Sequence, residues 1–135
     1  MGAVDSARLA GMPLFEGLDD ADRVEVADAV REIAVGAGTT LAEEGAWAWE
    51  LCVIEEGEVG VRKNGRQVRT LRSGDVFGEI GLPATGTRTA TVTALTDVRV
   101  AGIFTRGLEE LEWRNPDVVR RLRVAMRARA GRAAS

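Results

Sequence analysis

The order of apolar and polar residues divides this chain into three parts. In residues 1–31 apolar residues recur at the three- and four-residue spacing of helices, and this spacing returns in residues 105–135. Between them, residues 32–104 consist of short β-branched runs separated by glycine-containing breaks, which is typical of a β-sandwich or barrel. The pattern therefore predicts one mainly β domain with flanking helices.

Two helices are predicted before the strands, over residues 5–11 and 19–31. Asp19 or Asp20 can cap the second of them, because a carboxylate accepts hydrogen bonds from the free backbone N–H groups of the first turn. The apolar residues of this helix that recur at helical spacing are Val24, Ala27 and Val30.

Two further helices are predicted after the strands. Thr105 can cap a short one, and Asn115 can cap a longer one that starts with Pro116, a residue favoured at the first helical position. The longer helix carries an apolar stripe, which consists of Val118, Val119, Leu122, Ala125 and Met126.

The central part contains seven β-type runs. Asn64-Gly65 stands between the fourth and the fifth, and this dipeptide is the strongest short signal for a hairpin turn. The seven predicted strands are Glu32–Val35, Thr39–Ala42, Glu50–Ile54, Glu58–Lys63, Gln67–Leu71, Arg88–Ala94 and Val98–Ile103.

The stretch from Phe77 to Val92 carries the candidate chemistry. Two glycines and a proline lie between Glu79 and Arg88, so the chain turns tightly there and its N–H groups can form an anion-binding concavity. The guanidinium of Arg88 matches phosphate geometry, whereas an ionised Glu79 only accepts hydrogen bonds and suits ribose hydroxyls. The loop therefore predicts a site for a nucleoside monophosphate.

This stretch resembles the phosphate-binding cassette of the cyclic nucleotide-binding domains. The resemblance rests on Phe77-Gly78-Glu79-Ile80-Gly81-Leu82 and on Arg88-Thr89-Ala90-Thr91-Val92, at the spacing of the kinase and channel members. It extends to Pro13–Leu18 and to Asn115-Pro116-Asp117. The resemblance implies a single domain over residues 1–135: an antiparallel, jelly-roll-like β-roll with N-terminal helices and two C-terminal helices.

The resemblance also implies a ligand, a 3′,5′-cyclic nucleotide, with cAMP expected first and cGMP as the alternative. Arg88 would bind the phosphate, Glu79 the ribose 2′-OH, and Thr89 the phosphate or a guanine amino group. The last helix would close over the base, where Arg129 stands at a base-contacting position. The implied ligand-binding residues are Val76, Gly78, Glu79, Ile80, Gly81, Leu82, Arg88, Thr89, Ala90 and Arg129.

The composition argues against an enzyme. The chain contains no histidine, so His-based general bases, catalytic triads and His-rich metal sites are all missing, and we expect neither a metal nor a cofactor. Cys52 is the single cysteine and lies in an apolar run, which predicts a buried thiol and a reducing, cytoplasmic setting. A nucleotide-processing enzyme and a ligand-free interaction or dimerisation domain are the two other functions considered.

Charge is spread unevenly along the chain. The net charge is −3, yet residues 118–135 hold six arginines and no acid, which leaves 12 basic and 21 acidic residues, or −9, in the remainder. Without interleaved aromatic residues, this basic tail predicts a solvated helix face, or docking on the acidic body, rather than nucleic-acid binding. Besides the nucleotide, the expected partners are a second copy through the last helix or a larger effector protein, with no membrane contact.

Overall fold

A computed structural model describes residues 2–42, 49–78 and 90–134 of the 135-residue chain. Its helices are α1 (Ser6–Ala10), α2 (Asp20–Ala29), α3 (Thr105–Arg114) and α4 (Pro116–Ala134), and a 3-10 turn covers Pro13–Phe15. Its strands are β1 (Gly2–Ala3), β2 (Arg31–Val35), β3 (Thr40–Ala42), β4 (Trp49–Glu56), β5 (Val59–Lys63), β6 (Arg66–Leu71), β7 (Val76–Phe77), β8 (Ala90–Ala94) and β9 (Val98–Phe104).

The strands form two antiparallel sheets that face each other. The first sheet has the order β1-β2-β9-β4-β7, and the second has the order β3-β8-β5-β6. Every pairing between neighbouring strands is antiparallel. This arrangement confirms the predicted β-roll with N-terminal helices and two C-terminal helices.

The first sheet is buried on both faces, and strand β4 shows how. Leu51 and Val53 point to the core that the sheet shares with the helices, whereas Cys52 and Ile54 point to the core between the two sheets. All four side chains are almost fully buried. A strand covered on both faces loses the alternation of apolar and polar residues, which explains the continuous apolar run in the sequence.

The hairpin predicted at Asn64-Gly65 is confirmed. The two residues have φ angles of 55° and 79°, and the strand residues on either side, Lys63 and Arg66, are paired. Positive φ at both central positions is typical of a type I′ turn, whose twist matches that of the flanking strands.

Helix α2 begins as predicted but turns a different face to the core. Asp19 is the N-cap, and its Oδ1 accepts a hydrogen bond of 2.8 Å from the N–H of Asp22. The expected position of Val24 in the core is wrong, because its side chain is 56% exposed. Val26 and Asp22 are buried instead, and the carboxylate of Asp22 is bound to an arginine of α4.

The two C-terminal helices follow directly on β9. Phe104 rather than Thr105 occupies the N-cap position, because the strand runs up to the helix without a turn between them, and the predicted cap is therefore wrong. Asn115 caps α4 as predicted, since its Oδ1 accepts from the N–H of Val118 at 3.2 Å. None of the helices in the described ranges has the length and hydropathy needed to cross a membrane.

Candidate functional site

The candidate loop leaves the first sheet at strand β7. Val76 pairs with Val53 and Phe77 with Cys52, and both β7 side chains are fully buried. Gly78 follows with a φ of 131°, a conformation that favours glycine because residues with a Cβ rarely adopt it. The first end of the loop is thus held by two side chains in the core. It is followed by a position at which a residue other than glycine would be strained.

The other end of the loop enters the second sheet. Ala90 is buried, starts β8 and pairs with Lys63 of β5. Because β8 lies between β3 and β5, this end is held on both sides by strand pairing. Residues 79–89 therefore connect the edge of one sheet to the inside of the other.

Only part of the predicted site falls within the described residues. Val76, Gly78 and Ala90 are described, and they lie at the two ends of the loop. The roles predicted for the other cassette positions and for the Arg129 side chain stay predictions. The predicted residues outside the described part are Glu79, Ile80, Gly81, Leu82, Arg88 and Thr89, together with the side chain of Arg129.

The inner wall of the second sheet is largely apolar in the described residues, but it includes an arginine that sequence reasoning missed. Arg69 of β6 pairs with Val61 of β5, which pairs with Val92 of β8, so the three side chains share the inner face. Val61 and Val92 are buried and Arg69 is half-buried. The Nη1 atom of Arg69 is buried and has no hydrogen-bond partner among the described residues.

The first turns of α4 belong to the main core. The predicted stripe is confirmed, with Val118, Leu122 and Met126 fully buried against the N-terminal helices and the first sheet. The interpretation of the whole helix as a lid outside the core is therefore wrong, since these side chains lie among core residues.

An ion pair joins α4 to α2. Arg121 donates to both carboxylate oxygens of Asp22, from Nε at 2.9 Å and from Nη2 at 2.8 Å. Arg123 also donates to Glu112 of α3, with Nη1 at 2.5 Å from Oε2. These contacts confirm that arginines of the basic tail dock on the acidic body of the same chain.

A second charged cluster joins α1 to the outer face of the first sheet. Arg8 donates to Glu32 at 3.1 Å and to Glu55 at 2.8 Å, and Arg99 lies 4.0 Å from Glu55. Burial, followed by the hydrogen bond to Glu32, raises the pKa of Glu55 from 4.5 to about 7. The same hydrogen bond lowers the pKa of Glu32. The carboxyl group of Glu55 therefore keeps its proton to higher pH than an ordinary glutamate does.

This proton makes stability depend on pH. The folded chain holds it at pH values where unfolded Glu55 has lost it, so the free energy of unfolding should fall as pH rises from 4.5 to about 7. In Glu55→Gln this fall, at most about 3 kcal/mol, should disappear. Urea titrations at about pH 5 and pH 8 measure it. Glu56 is an exposed neighbour, so Glu56→Gln is the control and its free energy of unfolding should decrease with pH as in the wild type. An unchanged decrease in Glu55→Gln would show that Glu55 does not hold the proton.

Comparison with protein families identifies the domain that contains this loop. The model of the cyclic nucleotide-binding domain matches residues 32–112, which include every strand from β2 to β9 and the whole loop. The chain belongs to the cyclic nucleotide-binding domain family. The matched range contains residues 77–92, whose role as a phosphate-binding cassette stays a prediction.

Several known proteins are similar to this domain. It is 37% identical over 117 residues to a cAMP-dependent protein kinase regulatory subunit from Aspergillus fumigatus, a match that covers 85% of this chain and 28% of that protein. It is 30% identical over 123 residues to a cyclic nucleotide-gated potassium channel from Rhizobium etli, with 91% and 34% covered. The domain thus spans about a quarter to a third of these curated relatives.

A solved structure confirms the fold of the cyclic nucleotide-binding domain. The crystal structure of a putative cyclic nucleotide-binding protein from Geobacter metallireducens superposes with a TM-score of 0.83 and covers 98% of this chain and 99% of its own. Its sequence is 23% identical, so this likeness concerns the fold alone. The helices as well as the β-roll are included in the superposition.

Proposed function

We propose that this domain is a regulatory module that binds a 3′,5′-cyclic nucleotide, with cAMP as the expected ligand. The observation that carries the proposal is the family match across residues 32–112 in a chain that keeps Glu79 and Arg88 at the cassette positions. The kinase regulatory subunit that is 37% identical is described as cAMP-dependent, which supports the choice of nucleotide.

The chemistry of the cassette suits a cyclic phosphate. A single guanidinium, from Arg88, and backbone N–H groups near Gly78 and Ala90 would neutralise and bind one negative charge. Glu79 would accept from the ribose 2′-OH. The buried side chains of Phe77 and Ala90 hold the residues on either side of this loop in the core.

Calorimetric titration of the purified chain with cAMP, cGMP and AMP tests the proposal. We expect at least one cyclic nucleotide to bind, and AMP to bind much more weakly. A 5′-monophosphate carries a second negative charge and is bulkier, and the cassette offers one arginine. Equal affinities for AMP and cAMP would contradict a site for a cyclic phosphate, and the absence of binding by either cyclic nucleotide would overturn the function.

The signal would pass through the end of α4. The helix is held in the core up to Met126, whereas the following residues are rich in alanine and arginine. A base bound beneath residues 127–134 would supply the apolar surface that this segment needs to stay docked. The ligand can shift such an equilibrium only by its difference in affinity for the two positions of the helix.

Hydrogen exchange can locate this movement. On addition of saturating cAMP, amide exchange in residues 127–134 should slow more than in α1 and α2. Residues 118–126 serve as the internal control, because the apolar stripe of this segment already lies in the core. Equal protection of residues 127–134 in the presence and absence of cAMP would contradict a moving C-terminal segment.

A further inference from the structure

The hairpin of β5 and β6 concentrates positive charge. Residues 59–74 contain five basic residues and no acidic one, in a chain whose acidic residues outnumber its basic ones by 21 to 18. Asn64-Gly65 turns the chain in the middle of this stretch, so Lys63 and Arg66 lie directly opposite each other. Like charges in such a position destabilise a strand pair, and an anion placed near them relieves the repulsion. The five basic residues are Arg62, Lys63, Arg66, Arg69 and Arg72.

Most of these charges have no counter-charge in the part of the chain that the structure describes. Arg72 donates from Nε to Glu58 at 2.7 Å. The ion pairs among the described residues include none of the other four basic residues. Arg62 and Arg66 are exposed and Lys63 is partly exposed. The tip of the hairpin therefore presents three positive charges to the surroundings.

An apolar side chain stands beside these charges. Arg62 pairs with Gln67, but the adjacent residue of β5, Val61, pairs with Arg69, so Val68 is an extra residue that forms a β-bulge in β6. The side chain of Val68 is 56% exposed. Because β6 is the last strand in the order of its sheet, no other described strand pairs with its outer side. Basic and apolar side chains thus share one open edge.

Protection of this edge against pairing with another chain explains only part of the pattern. Charged residues and bulges on an edge strand both discourage such pairing, and a charge of either sign is sufficient. Two of the basic residues, Arg62 and Lys63, lie on β5, which is paired on both sides and needs no protection. The uniform sign of the charges, on both strands, indicates a negatively charged partner.

Acidic residues are concentrated on the opposite side of the domain. The N-terminal helices pack on one face of the first sheet, and the second sheet, which contains the hairpin, packs on the other face. Residues 5–31 contain seven acidic and three basic residues. The domain is therefore an electric dipole, which a negatively charged surface attracts and orients with the hairpin towards it.

A membrane suits this edge better than a nucleic acid does. Lysine and arginine are attracted to both, but an exposed valine adds affinity only where it can leave water, as it can in the headgroup region of a bilayer. Binding of single-stranded nucleic acid relies on aromatic side chains that stack on bases, and residues 59–74 contain none. Each basic residue close to an anionic leaflet raises the affinity about fivefold.

We propose that the β5–β6 hairpin docks the domain on a membrane that contains anionic lipid, with Arg62, Lys63 and Arg66 at the headgroups and Val68 beside them. The contact is peripheral and needs no nucleotide, so it stands or falls separately from the proposed function. From the sequence we expected no membrane contact; the hairpin charges without partners among the described residues are the reason to propose one.

Co-sedimentation with lipid vesicles tests this docking. The purified chain is mixed with vesicles of phosphatidylcholine alone, or of phosphatidylcholine and phosphatidylserine. The control variant loses the same charge as the hairpin variant, from exposed positions on α3 and α4. Thermal unfolding of each protein verifies the fold. The proteins are wild type, the hairpin variant Arg62→Ala/Lys63→Ala/Arg66→Ala and the control variant Arg106→Ala/Arg114→Ala/Arg120→Ala.

Wild type should sediment with the vesicles that contain phosphatidylserine and not with phosphatidylcholine alone. The affinity of the hairpin variant should be about 100-fold lower, because three basic residues next to the lipid are lost. The affinity of the control variant should change less than about threefold, since its substitutions lie further from the lipid than the screening length. Added salt should release wild type from the vesicles, a result that does not depend on any variant.

Three results would overturn the inference. Wild type could fail to sediment with either kind of vesicle. Equal losses in the two triple variants would show that net charge, and not the hairpin, determines binding. Binding of wild type to a labelled DNA duplex, measured by fluorescence anisotropy, without binding to phosphatidylserine vesicles would assign the hairpin to nucleic acid instead.

Discussion

In Arg88→Ala we expect cyclic nucleotide affinity to fall by about 10- to 150-fold while the fold stays intact. Hydrogen bonds to a charged group contribute about 1.5–3 kcal/mol, and a guanidinium that meets a phosphate with two parallel bonds belongs in the upper part of that range. The cassette sequence contains no second basic residue that could take over. Calorimetric titration with cAMP and cGMP measures the loss.

Companion variants show whether the loss is specific. Arg88→Lys should be nearly as harmful, because a point charge cannot reproduce the fork. Glu79→Gln should cost less, since an amide oxygen still accepts from a hydroxyl. Arg106→Ala removes an arginine whose side chain is 90% exposed on α3 and should leave binding unchanged. Wild-type affinity in Arg88→Ala would show that another group binds the phosphate.

In Arg121→Ala we expect the free energy of unfolding to fall by about 1–3 kcal/mol. Two hydrogen bonds to a carboxylate that is 10% exposed are lost, and Asp22 is left as a desolvated charge without its partner. The Arg121 side chain is 44% exposed, so solvent replaces part of the interaction and the effect stays below that of a fully buried pair.

The chain offers a close control for this pair. Arg120 is the preceding residue and pairs with Asp117, but their side chains are 71% and 68% exposed, so Arg120→Ala should cost less than about 0.5 kcal/mol. Chemical unfolding of both variants, of Asp22→Ala and of Asp22→Ala/Arg121→Ala measures the coupling between Asp22 and Arg121. Equal stability losses in Arg120→Ala and Arg121→Ala would show that the α2–α4 ion pair does not hold the helix.

Local chemistry explains the parts of the fold that the sequence predicted well. Asn64-Gly65 determines its own turn, because few other residues adopt positive φ at two successive positions. The cassette was recognisable for a similar reason, since a phosphate, a ribose hydroxyl and a tight turn each need particular residue types. Such requirements are met within a few neighbouring residues and are therefore visible in the sequence.

The sequence was less informative at positions whose burial depends on contacts with distant parts of the chain. Val24 has helical spacing with the buried Ala27 and Val30, yet it is exposed, whereas Asp22 is buried and pairs with Arg121, 99 residues away. Simple alternation would place Val68 on the inner face of β6, and the bulge places Arg69 there instead. Neither the ion pair nor the bulge leaves a local pattern, so neither was predicted from the sequence.

The buried thiol of Cys52 gives the protein an intrinsic reporter of its own opening. It is the single cysteine of the chain, lies fully buried between the two sheets, and burial raises its pKa well above the ordinary value. A thiol reagent can modify it only while the roll is open, since the reactive form is the exposed thiolate. The rate at which the thiol is labelled thus reports how often the roll opens, without any added tag. A nucleotide bound at the cassette should slow labelling in proportion to its affinity, if it binds the closed roll alone.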